Sequence, residues 1–149
     1  MTYNLQLNIA MSSIQGYGIT TDVQLRDLAD KMGVRLNYIG FAEDLPKKAP
    51  AGFNIINLGG PETGNQGTHW VLWYVGPKES IYFDSYGAPP EDPIIRLTSN
   101  TLWVNDKQLQ GYNEDYCGIW ALTAAAHINK SADKKKALTD FVRSYDEVK

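Results

Sequence analysis

At 149 residues, 43% hydrophobic, 11% aromatic and 21% charged, the chain has the size and make-up of one folded domain. That composition excludes wholesale disorder, a collagen-like repeat and a coiled coil. Fourteen Lys and Arg against 17 Asp and Glu leave a net charge of -3, so nucleic-acid binding is not indicated by charge. No run reaches the ~18 apolar residues of a membrane span. No basic stretch leads into an apolar one as in a secretory signal, so a non-secreted protein without a membrane partner is expected.

Thr2 to Ile9 alternates, with Tyr3, Leu5, Leu7 and Ile9 facing one way and the polar residues the other, the period of a half-buried strand. Met11 to Gly18 reads as a flexible connector. Thr20 or Thr21 then caps a helix with Val23, Leu25, Leu28, Ala29 and Met32 on its apolar face, and Gly33 stops it. The prolines and lysines of Asp44 to Gly52 mark a surface loop. Phe53 to Leu58 reads as a strand ended by Gly59-Gly60-Pro61.

Gly64 to Gly67 forms a loop that delivers His69 to the head of an apolar strand, Trp70 to Val75. A turn over Gly76 to Ser80 leads into Ile81 to Asp84, so these two strands form a hairpin. Tyr86 to Pro93 leaves the sheet, and Thr101 to Val104 is a further strand. Gln108 to Tyr116 is polar and loop-like. From Cys117 to Ile128 the chain is apolar nearly all round, which places that helix in the centre of the fold. Ser131 caps a last amphipathic helix through Leu138, Phe141, Val142 and Tyr145. Strands and helices mix without a βαβ repeat, so the expected class is α+β: a single domain over 1–149 with a central mixed sheet packed against the buried helix. Residues 1–19 supply the N-terminal strand and connector, and 20–149 the core.

Cys117 is the only cysteine, and only two histidines accompany it. An internal disulfide and a Cys-rich zinc site are therefore excluded, and no metal or cofactor is expected. A thiol attacks as thiolate, a form favoured by a helix N-terminus and by a nearby histidine. On one helix, His127 would stand about 15 Å along the axis from Cys117, out of reach. His69 remains. The hairpin folds Asp84 back beside His69, where it can orient the imidazole, although the same aspartate also suits a turn toward Gly87. For a developing oxyanion the donors available are the Cys117 N–H and the side-chain amide of Gln110, seven residues upstream.

Several segments together resemble the adenovirus-type, or adenain-like, processing cysteine proteases. They are Glu62-Thr63-Gly64 followed by His69-Trp70, Phe83-Asp84-Ser85-Tyr86-Gly87, and Gln110 followed by Cys117-Gly118. Val23-Gln24-Leu25, Tyr38-Ile39-Gly40 and Asn54-Ile55-Ile56-Asn57 extend the likeness, which runs from about Thr20 to Ile128. The resemblance implies an adenain-like fold, with Cys117 as nucleophile, His69 as base, Asp84 as the acidic third member and Gln110 as oxyanion donor. It also implies that Trp70 packs beside the imidazole, where its strand position equally suits a buried aromatic and both can hold, and that Trp70 and Gly118 border the substrate. The order His, Asp, Gln, Cys differs from papain-like enzymes, whose Cys precedes His. Trp73, Trp103 and Trp120 are assigned to the core and His127 to its helix. Glu114-Asp115 reads as polar loop, and Lys130 with Lys134-Lys135-Lys136 as a wet helix face.

The function implied is a cysteine endopeptidase that matures viral capsid or core precursor proteins. It would act as a monomer, in the virion and the host-cell interior. The chain is shorter than the adenovirus enzymes, which suits the smaller relatives of virophages and virus-like transposons. Those enzymes use a disulfide-tethered activating peptide and DNA, yet here Cys117 is the only thiol and the chain is mildly acidic. Activity without an added peptide is therefore expected, with Thr2 to Ile9 occupying a sheet edge. Ile14-Gln15-Gly16-Tyr17-Gly18 matches the family's cleavage preference, with the bond at Tyr17–Gly18. Two alternatives remain: a protease for ubiquitin-like modifiers, and a catalytically silent peptide-binding module.

Overall fold

In the computed structural model, which describes residues 21–58, 69–109 and 116–146, Thr21 opens the first helix with a reciprocal cap. Its Oγ1 accepts from Gln24 N at 3.2 Å, and Gln24 Oε1 accepts from Thr21 N at 2.9 Å. Two N–H groups that the helix cannot satisfy are thereby bonded. This helix, α1 (Asp22–Met32), ends on Gly33 at φ 72, a left-handed conformation that glycine adopts without steric cost. Leu25, Leu28 and Ala29 are its buried residues, whereas Val23 is 71% exposed. At 3.6 residues per turn, Val23 lies across the helix from Leu25 and cannot share its face. The expected strand over 2–9, the Tyr17–Gly18 bond, Glu62-Thr63-Gly64, Gln110 and Glu114-Asp115 lie outside the described residues.

Strand β1 (Leu36–Phe41) follows, then a 3₁₀ turn (Ala42–Asp44) and the loop carrying Pro46 and Pro50. No alternation in the residues marks β1: of Leu36–Phe41 only Ile39 is buried, so apolar and polar positions do not take turns along it. Strands β2 (Gly52–Asn57), β3 (Trp70–Val75) and β4 (Glu79–Phe83) form the antiparallel centre of the sheet. A short helix, α2 (Asp92–Leu97), carries the chain across to β5 (Thr101–Val104), which pairs parallel to β4. The order is β1-β2-β3-β4-β5, with both outer pairs parallel. The fold is thus α+β, one mixed five-stranded sheet packed against helices.

Both faces of the sheet are covered, and the strand sequences reflect it. Trp70-Val71-Leu72-Trp73 is buried throughout, with alternate residues entering different cores. Trp70 and Leu72 join Phe53, Ile55, Ile81 and Phe83 on the face toward the long helices. Val71 and Trp73 join Ile56, Tyr82 and Ile94 on the other, beneath α2 and the 42–49 connection. A strand wetted on one side would alternate; this one reads as a continuous apolar run because neither side is wet.

Helix α3 (Cys117–Asn129) crosses the first face, packed on β3 and flanked by α1 and by α4 (Lys134–Asp146). Every residue from Cys117 to Ala126 is buried. Gly118 permits the close approach of α3 to its neighbours, since a Cβ there would lie 3.0 Å from Leu25 Cδ2 and 3.3 Å from Trp70 Cδ1. Phe141 of α4 meets Phe83 and Trp120 edge-on at 5.5 and 6.4 Å. Asp133, not Ser131, caps α4: its Oδ1 accepts from Lys136 N at 3.1 Å. Ser131 is drawn into the end of α3, where its N donates to Ile128 O.

The basic cluster is not a uniform wet face. Lys134 Nζ donates to Ile128 O and Ser131 O at the end of α3, and Lys135 Nζ stands 4.0 Å over the Trp103 ring. Trp73 and Trp120 are buried, whereas Trp103 is half-buried and donates to Glu79 Oε2 at 2.8 Å. His127 stacks on Phe141 at 5.7 Å, and burial lowers its pKa.

Leu25 is fully buried and props the start of α3 through Gly118. Leu25→Ala is expected to cost about 2–5 kcal/mol of unfolding free energy, as large-to-small core changes do. Urea titration measures it, and wild-type stability in the variant would contradict this packing.

Candidate active site

His69 is the last residue before β3, and Asp84 the first after β4. The hairpin register pairs Leu72 with Phe83 and Val75 with Ser80, so the open ends of the two strands carry these residues side by side. Leu58 N donates to His69 O at 2.9 Å and holds the histidine backbone to the end of β2. His69 Nε2 then lies 2.9 Å from Asp84 Oδ1, as the hairpin reading expected. A carboxylate can only accept, so Nε2 carries the proton and donates. The Asp84 side chain is 1% exposed and the His69 side chain 19%.

The remaining ring nitrogen, Nδ1, is buried and has no hydrogen-bond partner among the described residues. With Nε2 committed to the carboxylate, Nδ1 is the atom available to take a proton from a thiol. The main chain brings the two parts together: Trp70 N, next to His69, donates to Cys117 Sγ at 3.3 Å. Cys117 is the first residue of α3, and its predecessor Tyr116 provides no side-chain cap. The positive end of the helix dipole therefore lies at the sulfur, where it favours negative charge.

Burial pulls the His69 pKa down, but the Asp84 hydrogen bond, the neighbouring Cys117 sulfur and the charges of both outweigh it and hold the pKa at about 9. At neutral pH the imidazole is therefore held as its cation. Above it lies Tyr86, whose ring stacks on His69 with centroids 4.7 Å apart and planes 20° from parallel. The face of an aromatic ring is electron-rich and suits an imidazolium.

Tyr86 is placed by the turn that also presents the carboxylate. Tyr86 N donates to Asp84 Oδ1 at 2.8 Å, and Gly87 N to Asp84 O at 2.8 Å. Asp84 thus both closes the turn toward Gly87 and faces His69, so the two readings of this residue hold together. Gly87 has φ 75, and a Cβ there would meet the Lys107 carbonyl carbon at 2.9 Å, so only glycine fits.

Cys117, His69 and Asp84 are brought to one place, while Gln110 lies outside the described residues. Trp70 and Gly118, expected to border substrate, have internal surroundings. Trp70 is 5% exposed, and the Cβ direction of Gly118 is filled by Leu25 and Trp70. The ring stacked on the imidazole is that of Tyr86, to which the sequence reading assigned no role. Its signal was local: an aspartate two residues before it and a glycine one after are the marks of a side-chain-closed turn. Among the described residues, no group of three His, Cys, Asp or Glu side chains could hold a metal ion, and no helix is long and apolar enough to cross a membrane. No protein-family model matches the chain, and no curated protein matches it.

Asp84→Asn keeps a hydrogen-bonding side chain beside the imidazole but removes its charge, so the His69 titration midpoint should fall from about 9 toward the ordinary histidine range. NMR titration of the ring follows it, and an unmoved midpoint would contradict the assignment. Stability has the corresponding sign. A histidine with a raised folded-state pKa contributes fully below its unfolded value of ~6.5. That contribution is lost as pH rises through about 9. The stability gap between wild type and His69→Gln should therefore be wider at pH 6 than at pH 10, and an equal gap would count against the charged pair.

Proposed function

We propose that this chain is a cysteine endopeptidase of the adenain-like type that processes viral capsid or core precursor proteins during particle maturation. One observation carries the chemistry: the 2.9 Å bond from His69 Nε2 to the buried Asp84 carboxylate, which leaves Nδ1 for the thiol. The substrate class, the adenain-like fold and a site of action in the virion and host-cell interior rest on the sequence resemblance. That resemblance runs through Glu62-Thr63-Gly64, His69-Trp70, Asp84, Gln110 and Cys117-Gly118.

In this reading His69 Nδ1 already holds the proton taken from Cys117 Sγ, and the sulfur attacks the scissile carbonyl carbon. The carbon–sulfur bond forms as the carbonyl π pair moves onto oxygen. The Cys117 N–H and the Gln110 amide stabilise that oxyanion. Collapse of the intermediate breaks the carbon–nitrogen bond, and the amine leaves with the proton held by His69. A thioester remains. Water attacks it, giving one proton back to His69, and the sulfur departs; the acid product loses its remaining proton to solvent and leaves as carboxylate, and the charged Cys117–His69 pair is restored. Asp84 is not itself protonated; it orients the ring and stabilises the cation.

The test is incubation with a panel of capsid precursor proteins and ubiquitin-like proteins, with cleavage sites read by mass spectrometry. Cleavage of the capsid precursors is expected, lost in Cys117→Ala with little change in fold. Gln110→Ala should lower kcat by roughly 10²–10³. Full activity in Cys117→Ala would sink the mechanism, and cleavage confined to the ubiquitin-like proteins would move the substrate class.

A further inference from the structure

Asn105 is the first residue after β5 and is 6% exposed. The parallel ladder between β4 and β5 runs from Glu79–Thr101 to Tyr82–Val104 and stops there. Beyond that point the Asn105 carboxamide takes over. Its Oδ1 accepts from Asp84 N at 2.9 Å, and its Nδ2 donates to Asp84 O at 2.7 Å. Both polar groups of one backbone residue are thus bonded to one planar side chain, which stands in for the strand neighbour that β5 no longer supplies. The same Nδ2 also donates to Lys107 O at 3.1 Å.

We propose that Asn105 is a positioning residue for the His69–Asp84 pair, fixing the Asp84 main chain so that its carboxylate meets the imidazole. This rests on the reading of the site as a cysteine protease. Two observations separate it from an asparagine that merely satisfies a loop. First, its Oδ1 bond and its shortest Nδ2 bond both fall on the one residue that bears the carboxylate facing His69. Second, the segment that Asn105 begins is fastened again to the same turn. Leu109 N donates to Ser85 O at 2.8 Å, and Gly87 has no room for a side chain against Lys107 and Gln108. The turn at 84–87 and the segment at 105–109 are therefore fastened together through Asn105, Leu109 and the close fit of Gly87.

A carboxylate displaced by about 1 Å at such a site can cost on the order of 10²-fold in rate. The experiment uses Asn105→Ala and the isosteric Asn105→Asp, which keeps the acceptor and loses the donor, so that one remains if the other fails to fold. Peptide hydrolysis is measured per Cys117 titrated by an irreversible thiol inhibitor, which removes unfolded protein from the count. The proposal expects kcat per titrated site to fall about 10–100-fold with KM unchanged. It further expects the Asn105→Ala/Asp84→Asn double variant to be no slower than Asp84→Asn alone, since Asn105 acts through Asp84. Wild-type kcat per titrated site in both Asn105 variants, or losses that multiply in the double variant, would overturn it. NMR titration of His69 separates this failure from failure of the protease reading. The ring midpoint should drop in Asn105→Ala, which adds no charge of its own, whether or not any peptide is cut, and an unmoved midpoint in that variant overturns the proposal by itself.

Discussion

The hydrogen bond between His69 and Asp84 closes the open end of a hairpin, and the site depends on it. Neither residue belongs to the strands that hold it. One precedes β3 and the other follows β4, so their meeting is set by the register of β3 against β4 and by what fastens each end. A shift of one residue would invert the faces of a strand buried on both sides and would separate the pair. The two cores that lock the register therefore also determine the geometry of the site.

The opposite side of the site is set by a helix. α3 starts at Cys117 and is enclosed almost completely, so the position of the sulfur follows from packing against β3, α1 and α4. The hydrogen bond from Trp70 N to the sulfur joins this helix to the hairpin. Burial alone would disfavour the histidine cation. Asp84 and the adjacent sulfur reverse that, and the stacked Tyr86 ring adds an electron-rich face. The same burial that isolates the imidazole from water also strengthens the interactions that charge it.

Much of this was legible in the residues, and for physical reasons. The 69–84 pairing followed from two apolar runs around a Gly-Pro turn, a local signal. The helix at Cys117 was plain because an all-round apolar pattern has one home, the interior. Tyr86 was missed although its turn is local, because nothing in the order of residues says that a ring two positions past an aspartate will fold over an imidazole 17 positions upstream. Asn105 was illegible in a stronger sense. Its part depends on the parallel pairing of β4 with β5, brought about by α2, and a lone polar residue after a strand carries no mark of it. Trp70 is the buried strand aromatic that its position suited, but that its main-chain N–H reaches the sulfur was not legible, since sequence patterns describe side chains better than backbones.

The central claim is that Cys117 and His69 work as a coupled pair. Because Cys117 is the only cysteine, the rate of its alkylation by a small reagent such as iodoacetamide at neutral pH can be read without ambiguity from intact mass. The account predicts ready alkylation of the wild-type protein and a rate at least about tenfold lower in His69→Ala, whose sulfur has lost its proton acceptor. Equal rates in the two proteins would show that the histidine does not act on the thiol, and the account would be wrong.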